Sequence, residues 1–110
     1  MLYAVHFDFD KYNIREDDKP VLEKNAKWLN LNKKVTVIIE GHADERGETE
    51  YNLALGDKRA RSVEKYLEAL GVSRDRLATI SFGEEKPVDP GHDEAAWSKN
   101  RRAEFKITSN

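Results

Sequence analysis

The chain has 110 residues, of which 19 are Lys or Arg and 21 are Asp or Glu, so its formal net charge is −2. This length fits one domain, residues 1–110, that can bury a core without staples. The lack of Cys excludes disulfide frameworks, thiol catalysis and Cys-based metal sites. The near-neutral charge argues against a nucleic-acid module, and no apolar run approaches the ~20 residues of a membrane span. The sequence alone therefore predicts a soluble domain.

Four strands and two main helices are predicted from apolar periodicity and β-branched runs. In chain order they are a strand over Val5 to Asp8, a helix over Lys19 to Leu31, a strand over Val35 to Glu40, a long helix over Thr49 to Leu70, a strand over Leu77 to Phe82, a short helical turn over Glu94 to Ser98 and a last strand from Ala103 to Thr108. The order β-α-β-α-β-β predicts an α+β two-layer sandwich, with two helices on one face of a mixed four-stranded sheet.

Small residues mark one face of the long helix. Gly56 and Ala60 lie about one turn apart, and Gly56 is costly inside a helix unless its small size is needed. We therefore expect this helix to lie close to the sheet. Gly71 is expected to end it, because glycine tolerates the left-handed conformation after a helix.

Chemistry concentrates in the polar loop Gly41 to Gly47 and in the helix that follows. Asn52, Leu55 and Arg59 share one stripe of that helix, and the Arg59 side chain leans back toward the helix start. We expect its guanidinium to meet the carboxylate of Asp44. An acid beside an arginine suits a zwitterionic amino acid group. The alternative interpretation of the same spacing is a surface ion pair between Asp44 and Arg59, which would stabilise the fold by at most ~1 kcal/mol.

The amino-acid sequence of this loop and helix start resembles the signature of a known family. The run Gly41-His-Ala-Asp-Glu-Arg-Gly-Glu-Thr-Glu-Tyr-Asn-Leu-Ala-Leu-Gly-Asp-Lys-Arg-Ala closely resembles the signature of OmpA-like peptidoglycan-binding domains, in their peptidoglycan-associated lipoprotein (Pal) branch. Three further stretches match in the family's order: Phe7-Asp-Phe-Asp-Lys-Tyr, Ser81-Phe-Gly-Glu-Glu-Lys-Pro and Gly91-His-Asp-Glu-Ala-Ala-Trp-Ser-Lys-Asn-Arg-Arg. The resemblance covers essentially the whole chain.

The resemblance implies a non-catalytic domain, without cofactor or metal, that binds the meso-diaminopimelate stem peptide of peptidoglycan. It implies that Asp44 accepts the ligand's ammonium and that Arg59 grips its carboxylate. The other residues that it places at the site are Asp10, Arg46, Asn52, Leu55 and either Arg101 or Arg102. Strand parity counted back from the last strand favours Arg101. Many relatives carry Thr where this chain has Ala43, so a hydroxyl contact to the ligand is absent.

Resemblance to the Pal branch also implies partners and a location. It implies an outer-membrane tether through a lipidated N-terminal Cys, which this chain does not contain. Met1 directly before the domain suggests an excised soluble piece of a longer protein on the periplasmic face of that membrane. The alternative function is a protein-interaction module whose main ligand is the Tol-system protein TolB, or another protein of that system.

Other polar and aromatic residues have simpler interpretations. His42 and His92 lie near carboxylates, but no recognised metal-ligand spacing accompanies them, so structural or surface roles are favoured. Asp8 and Asp10 are not accompanied by the other groups that acid–base hydrolysis requires. Trp97 is expected to pack in the core rather than to face a partner.

Overall fold

The computed structural model describes residues 1–109, and Asn110, the last residue of the predicted domain, lies outside the described residues. The strands are β1 (Val5–His6), β2 (Thr36–His42), β3 (Leu77–Gly83) and β4 (Arg102–Ser109), and the helices are α1 (Lys19–Leu31), α2 (Thr49–Ala69) and α3 (Glu94–Asn100). Two short 3₁₀ turns, Glu16–Asp18 and Arg74–Arg76, precede α1 and β3.

The strands form one mixed sheet in the order β1-β4-β2-β3. β2 runs parallel to β3, and β4 runs antiparallel to both β1 and β2. Buried apolar side chains of α1, α2 and the sheet form a single core between the layers, with Leu22, Ile39 and Val63 among its members. The predicted α+β sandwich is therefore confirmed. Over residues 1–109, none of the helices combines the length and apolar character needed to cross a membrane.

Two strand ends differ from the sequence prediction by two residues, and the other strand boundaries agree within one residue. β1 ends at His6 instead of Asp8, because the chain turns there: the Lys11 N–H donates to the Asp8 carbonyl, and Asp10 adopts a left-handed backbone with φ 57°. β2 continues to His42 instead of stopping at Glu40. Its last residues still find partners in β3 and β4, so the polar loop starts two residues later than predicted.

The closest approach of α2 to the sheet is between two glycines, as the small residues of this helix predict. A Cβ atom added to Gly41 would overlap the Gly56 carbonyl, and one added to Gly56 would lie 2.9 Å from the Gly41 carbonyl oxygen and against the Ser81 hydroxyl. Neither position has room for a side chain. This contact fixes the height of α2 above β2 and thereby positions the residues of its first turns.

We predict that Gly56→Ala destabilises the domain, although the same change in an ordinary helix interior stabilises it by about 1 kcal/mol. Overpacking of a tight contact is expected to lower the free energy of unfolding by about 1–3 kcal/mol, as measured in urea. The control is Ala54→Gly at an exposed position of the same helix, which reports helix propensity alone. A stabilised Gly56→Ala variant would contradict the account.

His42, at the end of β2, is a buried histidine without a polar partner. It exposes 1% of its surface and stacks on Phe82, with ring centroids 5.5 Å apart. Neither ring nitrogen forms a hydrogen bond with any group of residues 1–109, and Glu40 Oε1 lies 3.9 Å from Nε2. Burial, helped by the charge of Arg102, lowers the pKa of His42 from 6.5 to about 4. The imidazole is therefore neutral at physiological pH and serves as a packing group.

We predict a loss of stability on acidification that depends on His42. Its pKa is lower in the folded than in the unfolded chain, so its contribution is complete above about pH 6.5 and falls as the pH drops toward 4, by at most about 3 kcal/mol. His42→Phe keeps a stacking ring and is expected to flatten this part of the stability profile, measured by urea unfolding at several pH values. His92→Gln, at an exposed histidine, should leave the fall in place. Equal slopes for the wild type and His42→Phe would contradict this account.

Candidate functional site

A cavity of about 330 Å³ opens between the loop after β1, the loop after β2 and the first turns of α2. Six of the seven predicted site residues line it, namely Asp10, Asp44, Arg46, Asn52, Leu55 and Arg59. The other lining residues are Phe9, Ala43, Gly47, Glu48 and Tyr51. Carboxylates and guanidinium groups thus face one concave space beside apolar side chains, which suits a ligand with both signs of charge.

Asp44 is the buried acid of the cavity, with 5% of its surface exposed. Its Oδ1 accepts hydrogen bonds from the backbone N–H of Arg46 at 2.9 Å and from Arg46 Nε at 3.2 Å, and its Oδ2 accepts one from Arg46 Nη2 at 2.8 Å. Burial alone would raise the pKa of Asp44, but these bonds and the charge of Arg46 outweigh it and lower the pKa. Asp44 is therefore ionised at neutral pH.

Arg46 is held between two aromatic rings at the cavity mouth. Its guanidinium carbon lies 4.1 Å from the ring centroid of Phe9 and 4.0 Å from that of Trp97. The Trp97 indole N–H donates to Glu45 at 2.8 Å. The prediction that Trp97 packs in the core is therefore wrong, because its ring covers a cation beside the site instead. Aromatic faces on both sides hold Arg46 without using up its N–H donors.

Arg59 lies under the floor of the cavity and exposes none of its surface. Its Nε, Nη1 and Nη2 donate to the carbonyls of Lys11, His42 and Asp8 at 2.9, 2.9 and 3.2 Å. The expected direct contact with Asp44 is not formed, and neither is a surface ion pair, because these carbonyls occupy the guanidinium. Burial lowers the pKa of Arg59 to about 10, against the opposite influence of Asp44, so it remains a cation at neutral pH.

The remaining predicted lining residues shape the walls. Asn52 is buried and donates to Glu84 Oε1 at 2.8 Å, which ties the start of α2 to the loop after β3. Leu55, one turn further along, gives an apolar wall and exposes 8% of its surface. Asp10 accepts a hydrogen bond from the Tyr51 hydroxyl. Its left-handed backbone turns the chain at the cavity rim.

The two candidate arginines at the start of β4 point to different faces of the sheet. Arg101 Nη1 lies 3.6 Å from Asp44 Oδ2, and the guanidinium also pairs with both oxygens of Glu94, at 2.9 and 3.0 Å. Arg102 instead contacts Glu104 and donates to the Lys86 carbonyl. Arg101 therefore lies behind Asp44, on the side of the site that parity favours, but it does not line the cavity, and Arg102 points away from Asp44. A role of Arg101 in ligand binding remains a prediction.

Two aromatic lining residues, Phe9 and Tyr51, are absent from the predicted site residues. Tyr51 lies four residues before Leu55 on the same helical stripe, so extending the stripe by one turn identifies it. Phe9 carries no such signal. Alternation along the first strand places it on the same side as Val5 and Phe7, but the strand ends before it, and its side chain is 57% exposed beside Arg46.

The histidines have the structural and surface positions that the sequence analysis favours. His92 is exposed, and its Nδ1 lies 2.7 Å from Glu45 Oε2, a contact that raises the pKa of His92. His42 is enclosed as described above. Within residues 1–109, no group of three or more His, Cys, Asp or Glu side chains is arranged to bind a metal ion.

Comparison with known proteins gives consistent matches. The model of the OmpA family matches residues 6–101. The peptidoglycan-associated lipoproteins of Pasteurella multocida and Haemophilus influenzae are each 52% identical over 100 residues, which is 91% of this chain and 67% and 65% of those proteins. The chain thus spans about two thirds of the length of these relatives.

Solved structures agree with these matches. The crystal structure of the peptidoglycan-associated lipoprotein from Burkholderia pseudomallei has a TM-score of 0.92 at 44% identity, over 96% of this chain and 89% of that one. The C-terminal domain of Helicobacter pylori MotB has a TM-score of 0.90 at 24% identity, over 100% of this chain and 87% of that one, a likeness of fold alone. The OmpA family is not an enzyme family, and it is to this family, in its peptidoglycan-associated lipoprotein branch, that the chain belongs.

Proposed function

We propose that this domain binds peptidoglycan non-covalently and that it recognises the diaminopimelate side chain of the stem peptide. The observation that carries the proposal is the cavity in which the ionised Asp44 faces the ligand space while the buried cation Arg59 lies beneath it. The end of a diaminopimelate side chain is an amino acid group with one ammonium and one carboxylate. A site that offers one group of each sign matches it.

Asp44 can accept a further hydrogen bond from the ammonium of the ligand. A carboxylate can accept about four hydrogen bonds, and Arg46 provides three of them, two to Oδ1 and one to Oδ2. The nearest further donor, Arg101 Nη1, lies 3.6 Å from Oδ2, which is too far for a good hydrogen bond. One acceptor position on Oδ2 therefore remains for a ligand N–H, and the Arg46 bonds hold this oxygen in place.

Two arginines offer positive charge to the carboxylate of the ligand. Arg59 has five N–H donors and uses three of its nitrogens toward carbonyls, so two N–H groups remain. Because Arg59 has no exposed surface, a ligand group reaches it only if a side chain that covers it moves. Arg46 has about a third of its side chain exposed at the mouth. We assign the first contact with the carboxylate to Arg46 and the buried positive charge under the floor to Arg59.

The relatives extend the proposal from the domain to the whole protein. They carry the name peptidoglycan-associated lipoprotein, and we propose the same setting here: a lipid-anchored protein of the outer membrane whose domain faces the periplasm and tethers that membrane to the cell wall as part of the Tol-Pal system.

A second candidate ligand is the protein TolB. Phe9, Tyr12 and Tyr51 form an aromatic rim beside the cavity, and each exposes about half of its surface. Exposed aromatic side chains are enriched in protein interfaces. If TolB covers this rim, it must compete with stem peptide, which a pull-down of TolB at rising peptide concentration measures. Undiminished capture of TolB would place its contact surface elsewhere.

We predict that Asp44→Asn weakens binding to purified cell-wall sacculi. The change keeps the size of the side chain but removes the charge that meets the ammonium, and a hydrogen bond to a charged group contributes about 1.5–3 kcal/mol. The expected loss is therefore about ten- to a hundred-fold in affinity, measured by co-sedimentation.

The matched control is Asp57→Asn on α2, where the acid pairs with Arg61 at the surface. This variant should sediment with sacculi like the wild type. Thermal melting of both variants separates a loss of binding from a loss of fold. Wild-type binding by a folded Asp44→Asn variant would rule out the ammonium contact.

A further inference from the structure

A second, smaller cavity of about 110 Å³ adjoins the first along α2. It is lined by Asp10, Tyr12, Tyr51, Ala54, Leu55 and Lys58. Three of these, Asp10, Tyr51 and Leu55, also line the larger cavity, so a ligand that fills the first cavity has direct access to the second. Lys58 is the cation of this smaller space.

The Lys58 ammonium packs on an aromatic ring and has no carboxylate partner among residues 1–109. Its ammonium lies 5.4 Å from the centroid of the Tyr12 ring, within the range of a cation–π contact. The neighbouring acid, Asp57, pairs with Arg61 at 2.9 Å, and Asp10 accepts from Tyr51. Over residues 1–109, the described ion pairs leave Lys58 without a carboxylate partner. An unpaired ammonium beside aromatic walls suits an anionic group attached to an apolar stem.

The spacing fits a peptide that continues from the first cavity. Tyr51 and Lys58 are seven residues apart on α2, or about 10 Å along the helix axis, and a lysine side chain leans back toward the helix start. An extended peptide advances about 3.3–3.6 Å per residue. The axial distance equals about three residues of such a peptide, and the lean of the lysine toward Tyr51 shortens it, so a group held at Lys58 belongs to a residue one or two positions from the one in the first cavity.

We propose that Lys58, with Tyr12 and Tyr51 as walls, forms a subsite for a second carboxylate of the bound peptide, carried by the residue next to the diaminopimelate. This inference rests on the proposed function, because it assumes that the first cavity holds the diaminopimelate. On the N-terminal side of the diaminopimelate in a stem peptide, that neighbour is a glutamate linked through its side chain, so its α-carboxylate is free. Amidation of this carboxylate removes the charge that Lys58 would meet.

The test compares two soluble peptides by calorimetric titration: L-Ala-γ-D-Glu-meso-diaminopimelate, and the same peptide with the glutamate α-carboxylate amidated. The wild type should prefer the free carboxylate by about two- to five-fold, as expected for an exposed ion pair. Lys58→Gln should bind both peptides equally, at the affinity of the wild type for the amide. Tyr12→Leu should reduce the preference, and Tyr12→Phe should retain it.

The matched control is Lys65→Gln, two turns further along the same exposed side of α2 and outside the second cavity. It changes the net charge equally and should keep the preference. If the wild type binds both peptides equally well, or if Lys58→Gln still prefers the carboxylate, the subsite is refuted while the proposed function stands. If neither peptide binds the wild type, the proposed function fails, and the subsite fails with it.

Discussion

The buried guanidinium of Arg59 is the interaction on which the site depends. From the middle of α2 it donates to backbone carbonyls of the loop after β1 and of the end of β2. Three segments distant in sequence are thereby joined at one point under the cavity. Because no carboxylate of residues 1–109 lies in direct contact, carbonyl dipoles stabilise the charge in place of an ion pair, and loss of Arg59 would remove this donor from the carbonyls of Lys11, His42 and Asp8. Its role is first to build the floor and then to supply positive charge through it.

A second constraint, the glycine contact between α2 and β2, sets where that guanidinium lies. Gly41 and Gly56 let helix and strand approach until their backbones touch, which brings Arg59 within reach of the His42 carbonyl. On the opposite side of the cavity, Arg46 is fixed by two rings and by Asp44. The charges of the site are thus held by packing before any ligand arrives, and preorganisation of this kind lowers the entropic cost of binding.

Periodicity and end signals were enough to predict α2. Its apolar stripe and the glycine after it gave bounds that the structure matches within one residue, and Gly71 has the positive φ of 93° that its position requires. The resemblance to the Pal branch supplied seven site residues, and six of them line the cavity. Helix bounds, which depend on local geometry, and site residues, which depend on shared ancestry, can therefore be predicted from this sequence.

The partners of the charged groups could not be predicted. Arg59 bonds to carbonyls that lie 17 to 51 residues away, and a backbone carbonyl leaves no mark in a sequence, so the nearest acid was expected as its partner instead. Phe9 lies just past the predicted strand, and its place beside Arg46 could not be predicted because the turn at Asp10 depends on contacts made elsewhere. Trp97 is a large aromatic residue of the kind that usually packs in a core, and only the folded structure shows that its ring covers Arg46.

The central claim is that one cavity recognises an ammonium and a carboxylate together. Calorimetric titration with a diaminopimelate stem peptide, and with the same peptide carrying lysine in its place, tests it most directly, because lysine keeps the ammonium and lacks the distal carboxylate. The account predicts binding of the first peptide and at least about ten-fold weaker binding of the second, since a charged hydrogen-bonded pair is lost. Equal affinity for both peptides would contradict it.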